Sequence, residues 1–337
     1  MISPPPFLEV AGLAFFAALA LTPLTRKLAR ATGYVDHPDP RKVHRHATPL
    51  LGGVAIAASL ILAPLLAMAL ARSVIPAPSL GLLAGAFIAL TLGLLDDRWP
   101  LHPLVKLAGQ LAAGVCLVSW GTDVPALRAN PILGAIAVLG IATLLNAVNF
   151  LDNMDGILGS IIPVTAAGFA ALALVHGAPV HLVLAWGLIG ACAGFLVYNA
   201  PPARIFLGDA GSHLLGFALG ALALQSLEES FTWQHVAAVV MILAYPIFDA
   251  TFVVWDRVSG RRPFYVGSTD HTTHRLRKLF GRWGTIGVVT LATSLNALLG
   301  VWIWGCSDAL PILAALCVSA LAYALFGTAL RHISPSA

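Results

Sequence analysis

Charge is what this sequence lacks most. Only 10% of its 337 residues are Asp, Glu, Lys or Arg, whereas a soluble domain carries roughly 25%. There is too little polar surface to cover a water-exposed globule, and soluble classes are excluded. Cysteine is scarce too: Cys116, Cys192, Cys306 and Cys317 are scattered through apolar runs. No spacing among them suggests a disulfide framework or a metal site, and they read as small packing residues. No internal repeat stands out, which argues against an inverted-repeat transporter. No stretch has the composition of a separate soluble domain.

What the sequence has instead is long apolar runs, 58% of it being hydrophobic. A helix needs roughly 20 apolar residues to cross a bilayer, and eleven segments qualify: 7–24, 50–71, 79–95, 103–120, 131–148, 157–176, 180–198, 211–227, 235–255, 284–304 and 309–330. The expectation is one all-α, polytopic membrane domain over residues 1–337. "MISPPPFLEV" lacks the basic region of a signal peptide, so the first span is expected to be retained. With the N-terminus outside, 17 of the 19 Lys and Arg fall on one side, leaving Arg72 and Arg128 on the other. That bias places the C-terminus and the richer connections in the cytoplasm.

The chemistry-bearing residues all fall on that face, in connections 25–49, 96–106, 146–159, 199–212 and 256–283. The stretch "NAVNFLDNMDGILGS" crowds Asn146, Asn149, Asp152, Asn153 and Asp155 between two apolar runs. If the helix continues through it, Asn146, Asn149, Asp152 and Asp155 form one stripe, with Gly156 as a helix-ending position. Asp96 and Asp97 close another span, and Asp209 lies in "FLGDAGS". Carboxylates that converge repel unless a cation lies among them, so these five acids read as a divalent-cation or acid–base constellation. Gly208 and Gly211 flank Asp209, and Ser212 is a candidate N-cap. A helix start with free amides would suit a phosphate; an ordinary capped turn backed by a Gly216/Gly220 packing face is the alternative. Cations sit beside the acids: Arg41, Lys42, His44, Arg45, Lys106, and His271, His274, Arg275, Arg277 and Lys278 of the last loop. They suit an anionic group.

From about Asp36 to Arg282, the chain resembles the polyprenyl-phosphate N-acetylhexosamine-1-phosphate transferases, the family that includes phospho-MurNAc-pentapeptide translocase. "RKVH…PLLGG", the Asp96–Asp97 pair, "NAVNFLDNMDG", "FLGDAGS" and the His loop appear in the family's order. The resemblance implies a bacterial inner-membrane enzyme with its active site facing the cytoplasm. It implies magnesium, or manganese, as cofactor, and transfer of a sugar 1-phosphate from a UDP-N-acetylhexosamine to undecaprenyl phosphate with release of UMP. It assigns catalysis to Asp96, Asp97, Asp152 and Asp155. Metal binding falls to Asp209, Asp96 and Asp97. Substrate contacts fall to Lys42, Lys106, Asn149, Asn199, Phe206 (stacked on uracil), His271 and His274, and the cations His44 and Arg275 of the same face are counted with them as candidate substrate contacts. A homodimer is a candidate assembly, and no nucleic acid is expected. N-acetylglucosamine is the default sugar, with N-acetylgalactosamine or a 6-deoxy amino sugar next. Two positions depart from the family's pattern: Asn153 stands where Gly is common, and Thr273 where the middle His of the loop would be. A transporter or flippase for an anionic metabolite is the rival reading, with Asp249 as its intramembrane acid. A lipid phosphotransferase using CDP-activated substrates is a second, but its acidic motif with Arg between the acids is missing.

Overall fold

The computed structural model describes residues 7–37, 47–71, 79–176, 179–228, 230–261 and 270–333. Its helices are α1 (Phe7–Thr32), α2 (Gly52–Ala71), α3 (Leu80–Arg98), α4 (Pro103–Trp120), the short α5 (Pro125–Ala129), α6 (Pro131–Leu151), α7 (Ile157–His176), α8 (Pro179–Asn199), α9 (Gly208–Ser226), α10 (Trp233–Ile242), α11 (Ala244–Ser259), α12 (Thr272–Gly305) and α13 (Ala309–Arg331). Two strands of two residues each, β1 (Val35–Asp36) and β2 (Thr48–Pro49), pair antiparallel. The protein is an all-α polytopic membrane protein. Among the described residues, nine helices are long and apolar enough to cross a bilayer, and the pair α10–α11 makes a tenth crossing if it is one span.

The remaining expected span, 211–227, is α9, which is not among these crossings and forms the centre of the bundle. Seventeen of its 19 residues are buried. Its 19 residues reach ~28 Å at 1.5 Å per residue, yet its surroundings are protein rather than lipid. A helix so enclosed can keep Asp209, Ser212, His213 and Gln225 at little cost if each finds a partner. Its neighbours approach to backbone contact. A Cβ on Gly93 of α3 would lie 2.2 Å from the Asp209 carbonyl oxygen, and one on Gly53 of α2 would lie 2.3 Å from Gly211 Cα. Glycine at these crossings therefore brings the ends of α2, α3 and α9 together.

Local signals set the helix ends. Pro103, Pro125 and Pro131 each occupy the first turn, where the missing N–H costs nothing. Ser79 accepts from the Leu82 N–H, and Asn130 from those of Ile132 and Leu133. The expected span 235–255 is bent by 73° between α10 and α11. Pro246 explains the position of the break, because its ring clashes with the carbonyl four residues back, that of Ile242. The expected loop 256–283 is shorter than anticipated: α11 runs to Ser259, and α12 begins at Thr272 with a kink at Gly281 (φ 67°). Polar helix ends can project beyond the bilayer into water, so apolarity alone underestimates these lengths. The helix α13 stays at the periphery, with 6% of its apolar window buried.

Candidate active site

Four helix ends meet around Asp209, in the first turn of α9. Its Oδ1 accepts from Asn149 Nδ2 on α6 (2.9 Å), and its Oδ2 receives Lys106 Nζ from the first turn of α4 (3.1 Å). The same Lys106 ammonium pairs with Asp96 Oδ2 in the last turn of α3. Asp96 Oδ1 accepts from the Leu101 N–H (2.7 Å), which closes the α3–α4 corner. The Lys106 and Asp209 side chains keep 24% and 32% of their surface, so the arrangement opens to solvent.

Asp97 takes a different place from its neighbour. Its Oδ1 accepts from the Asp209 N–H (2.8 Å) and its Oδ2 from the Ala210 N–H (3.1 Å). The carboxylate therefore caps α9 from another helix, with the favourable charge for a helix start. This corrects the expectation of free amides there for a phosphate. Ser212 is not the N-cap either: it lies inside the first turn, accepts from Asn149 Nδ2 (2.9 Å) and donates to the Asp209 carbonyl. Gly208 permits the cap. Its φ is +75°, and a Cβ would lie 2.6 Å from Asp97 Oδ2.

The polar stripe expected through residues 146–155 is also corrected. Helix α6 ends at Leu151 with Asp152 as C-cap, and residues 152–156 form the turn into α7. Asn146 and Asn149 keep their helical spacing, whereas Asp152 and Asp155 leave it. Asp155 Oδ2 accepts from the Ala203 N–H (3.1 Å), with Arg282 3.9 Å away. The Asp152 backbone N–H donates to the Asn149 carbonyl (3.2 Å), but its carboxyl takes part in no hydrogen bond or ion pair among the described residues. Burial first, then the facing charges of Asp209, Asp97 and Asp155, push its carboxyl up to about 8. The protonated form is then favoured by folding. The fold loses stability as pH rises from the ordinary carboxylate range toward 8 and levels off above it. In chelator, the melting temperature should fall between about pH 6 and 8 and flatten in Asp152→Asn. An equal slope in both proteins would remove Asp152 from the cluster.

The remaining predicted residues divide. Asn199 is 6% exposed, and both ends of its amide are used within the chain: Oδ1 accepts from the Gly156 N–H (2.9 Å) and Nδ2 donates to the Ile205 carbonyl (3.0 Å). It ties the 152–156 turn to the segment before α9. Phe206 is half-buried, and its backbone pairs with Pro49 and Gly52, anchoring that segment to "PLLGG". His271 Nδ1 bonds Asp249 Oδ2 (2.9 Å), and Thr272 donates N–H and Oγ–H to Asp249 Oδ1. The fully buried Asp249 of α11 thus seats the start of α12; its position after Pro246 flagged it, but only as an intramembrane acid. His274 lies with its ring 6.0 Å from that of His271. Lys42 and His44, with Arg41 and Arg45, lie outside the described residues. Asn153 and Thr273, the two departures from the family's pattern, touch each other: Thr273 Oγ1 donates to Asn153 Oδ1.

The Arg275 guanidinium is taken up by partners within the protein. It is 4% exposed; its Nη2 donates to Asp256 (2.9 Å), and its Nη1 donates to the carbonyls of Leu330, Arg331 and Ile333 at the end of α13 (3.1, 3.3 and 2.9 Å). A guanidinium is suited to this, since its fan of donors can serve several terminal carbonyls at once. Arg275→Met should cost about 3 kcal/mol through the broken buried pair and the uncapped helix, read as a lower melting temperature in detergent. A variant that melts with the wild type but needs more nucleotide sugar would return Arg275 to the substrate.

Among the described residues, no three His, Cys, Asp or Glu side chains converge as a ready-made metal cage. Of the three expected ligands, Asp97 is turned to backbone amides and Asp96 is 8% exposed against Lys106, whereas Asp209, which meets Lys106 and Asn149, is 32% exposed and is the open acid. Such a donor set still fits magnesium, which binds through one or two carboxylates and completes its shell with water and substrate phosphates. The unpartnered Asp152 beside Asp209 supports that fit.

Residues 79–227 match the family described as glycosyl transferase family 4. They contain α3 to α9 and all five acids. The chain is 34% identical over 273 residues to a probable undecaprenyl-phosphate N-acetylglucosaminyl 1-phosphate transferase of Bacillus subtilis (strain 168), covering 78% of this chain and 75% of that one. The chain belongs to glycosyl transferase family 4. This transferase is also 31% identical over 309 residues to the decaprenyl-phosphate N-acetylglucosaminephosphotransferase of Mycobacterium tuberculosis (strain H37Rv), covering 81% and 75% of the two chains. It is 25% identical over 323 residues to the undecaprenyl-phosphate alpha-N-acetylglucosaminyl 1-phosphate transferase of Escherichia coli (strain K12), covering 91% and 86%.

Proposed function

We propose that this transferase moves an N-acetylhexosamine 1-phosphate from a UDP-sugar to a polyprenyl phosphate, at the cytoplasmic face of a bacterial inner membrane. The product is a polyprenyl-diphosphate sugar, the first membrane-bound intermediate of an envelope glycan, and UMP is released. The observation that carries this reading is the Lys106–Asp209–Asn149 junction at the meeting of α4, α9 and α6. It combines a partly exposed carboxylate and an ammonium at one membrane face.

In the reaction, an oxygen of the lipid phosphate attacks the β-phosphorus of the UDP-sugar. The bond from that phosphorus to the bridging oxygen breaks, and UMP leaves with the electron pair. One phosphoanhydride replaces another, so the task is to bring multiply charged phosphates together in line. Lys106 is placed to meet phosphate oxygens, and Asp96 holds it by the ion pair. Asn149 fixes the rotamer of Asp209. A magnesium ion held by Asp209, with Asp152 beside it, would neutralise phosphate charge. No residue must serve as base, because a phosphate monoester with its second pKa near 6 is mostly dianionic at neutral pH.

The test is purified protein with undecaprenyl phosphate and a panel of UDP-sugars, N-acetylglucosamine first, with UMP release measured. Release that requires both substrates is expected. Absence of release with every sugar, or uptake of substrate into sealed vesicles without chemistry, would overturn the reading. The orientation follows from the basic residues. In a background with the four native cysteines replaced, Ser307→Cys should react with an impermeant thiol reagent in intact cells, and Ser259→Cys should not. The reverse pattern would turn the site to the outside.

A further inference from the structure

One helical turn below the Asp209 junction lies a second polar layer, inside the bundle. Gln110 sits four residues after Lys106 on α4, Asn146 three before Asn149 on α6, and His213 four after Asp209 on α9. Gln110 is 1% exposed and His213 0%. The three helices therefore carry two polar side chains each, one turn apart, and the lower set contacts itself. Asn146 Nδ2 is 2.6 Å from Gln110 Oε1 and 3.0 Å from the Ala142 carbonyl oxygen. Gln110 Nε2 is 3.1 Å from His213 Nε2, and His213 Nδ1 is 2.8 Å from the Asp209 carbonyl oxygen.

The proton positions follow from the two ends. A backbone carbonyl only accepts, so the Asn146 atom on Ala142 is the NH2 group. That group also donates to Gln110, which must present its oxygen there. Gln110 then turns its NH2 to His213 Nε2, which must accept and so carries no proton. The imidazole proton is on Nδ1, and it donates to the Asp209 carbonyl. That carbonyl, reached from the other end, also requires a donor. Each polar group faces a complement, as a site shielded from water demands.

We infer that His213, with Gln110 and Asn146, forms a positioning layer that sets the first turn of α9, and with it the direction of the Asp209 carboxylate toward a divalent cation and the sugar diphosphate. None of the three touches substrate; they act through Asp209. The layer also accounts for the first asparagine of "NAVNFLDNMDG", which does not reach the open site. The inference rests on the proposed function for its substrates, but its geometry does not.

The test uses full-length protein in detergent and three readouts. The first is the 15N spectrum of histidine-labelled protein at neutral pH, with the His213 signals assigned by their loss in His213→Asn. A proton on Nδ1 and none on Nε2 is expected; a proton on Nε2 overturns the inference. The second is binding of Mn2+ without substrates, followed by the electron paramagnetic resonance of the free ion. The third is UMP release. His213→Leu should weaken Mn2+ binding and lower kcat, each by about tenfold, as loss of an outer-layer partner does. The KM for the UDP-sugar should stay within about twofold of wild type, since His213 does not contact it. His213→Asn, whose amide nitrogen can replace Nδ1 as donor, should recover most of both. Gln110→Met provides the same reading if His213→Leu does not fold. Unchanged Mn2+ binding and kcat in the folded variants, or equal losses in His213→Leu and His213→Asn, would overturn it. If wild-type protein releases no UMP, the functional reading fails, and the nitrogen spectrum with Mn2+ binding decides the inference alone.

Discussion

Asp209→Asn is expected to abolish turnover, with a loss of about a thousandfold or more, the scale seen when a group stabilising transition-state charge is removed. The substitution is nearly isosteric. An asparagine oxygen can still accept from Asn149, and Asp96 still holds Lys106. The fold should therefore survive, as judged by thermal unfolding and size-exclusion chromatography in detergent. What disappears is the negative charge at the more open acid: the Asp209 side chain keeps 32% of its surface against 8% for Asp96, while Asp97 caps a helix. The same variant should lose the response of the rate to added magnesium. Retention of more than about a tenth of wild-type activity, or full activity in excess chelator, would show that the chemistry is centred elsewhere.

The second large effect is expected at Asp97, and its sign on a pH axis separates two roles. Both Asp97 oxygens accept from amides, those of Asp209 and Ala210. Asp97→Ala removes a cap worth about 1–2 kcal/mol and leaves two N–H groups unpaired beside Asp209. We expect a lower melting temperature and at least a hundredfold loss of rate, because the first turn of α9 carries the carboxylate proposed to hold the metal. Asp97→Asn keeps a single acceptor and should fall between. Neither variant should regain its rate as pH rises. A general base would instead be replaced in part by hydroxide or by fuller ionisation of the lipid phosphate. The phosphate is already mostly dianionic at neutral pH, so a base could add far less than the usual ~10²–10⁴. If raising the pH to about 9 restores most of the Asp97→Asn rate, Asp97 is the base and the capping account is insufficient.

The contrast between Asp96 and Asp97 shows where sequence reading stops. Adjacent residues on a helix point about 100° apart, so the pair could never serve as one unit. One reaches Lys106 and the other the end of α9, and nothing in "LLDDRW" says which. Asn199 and Arg275 give the same lesson. Their types and positions suggested ligand contacts, yet their hydrogen bonds are filled by Gly156, Ile205, Asp256 and the end of α13. A polar side chain in a low-dielectric site must find partners, and only the packed chain shows whether those partners are the protein's own.

By itself the sequence determined the all-α membrane architecture, most of its apolar helices and the acids at their ends, though not the bend within 235–255. These are local properties: apolar length decides what can span a bilayer, and Pro, Ser or Asn at a helix start decides where it begins. The family too was legible, because its motifs keep their order along the chain. The tertiary structure alone decided that α9 is the enclosed axis, that glycines at 53, 93 and 211 let three helix ends touch, and that Asp209 rather than its neighbours faces the opening. It alone revealed the layer of Asn146, Gln110 and His213 beneath. Those outcomes depend on contacts between residues far apart along the chain, such as Asp97 with Asp209, 112 positions away. Spacing along the chain carries no information about such meetings; the close approach of the helices sets them.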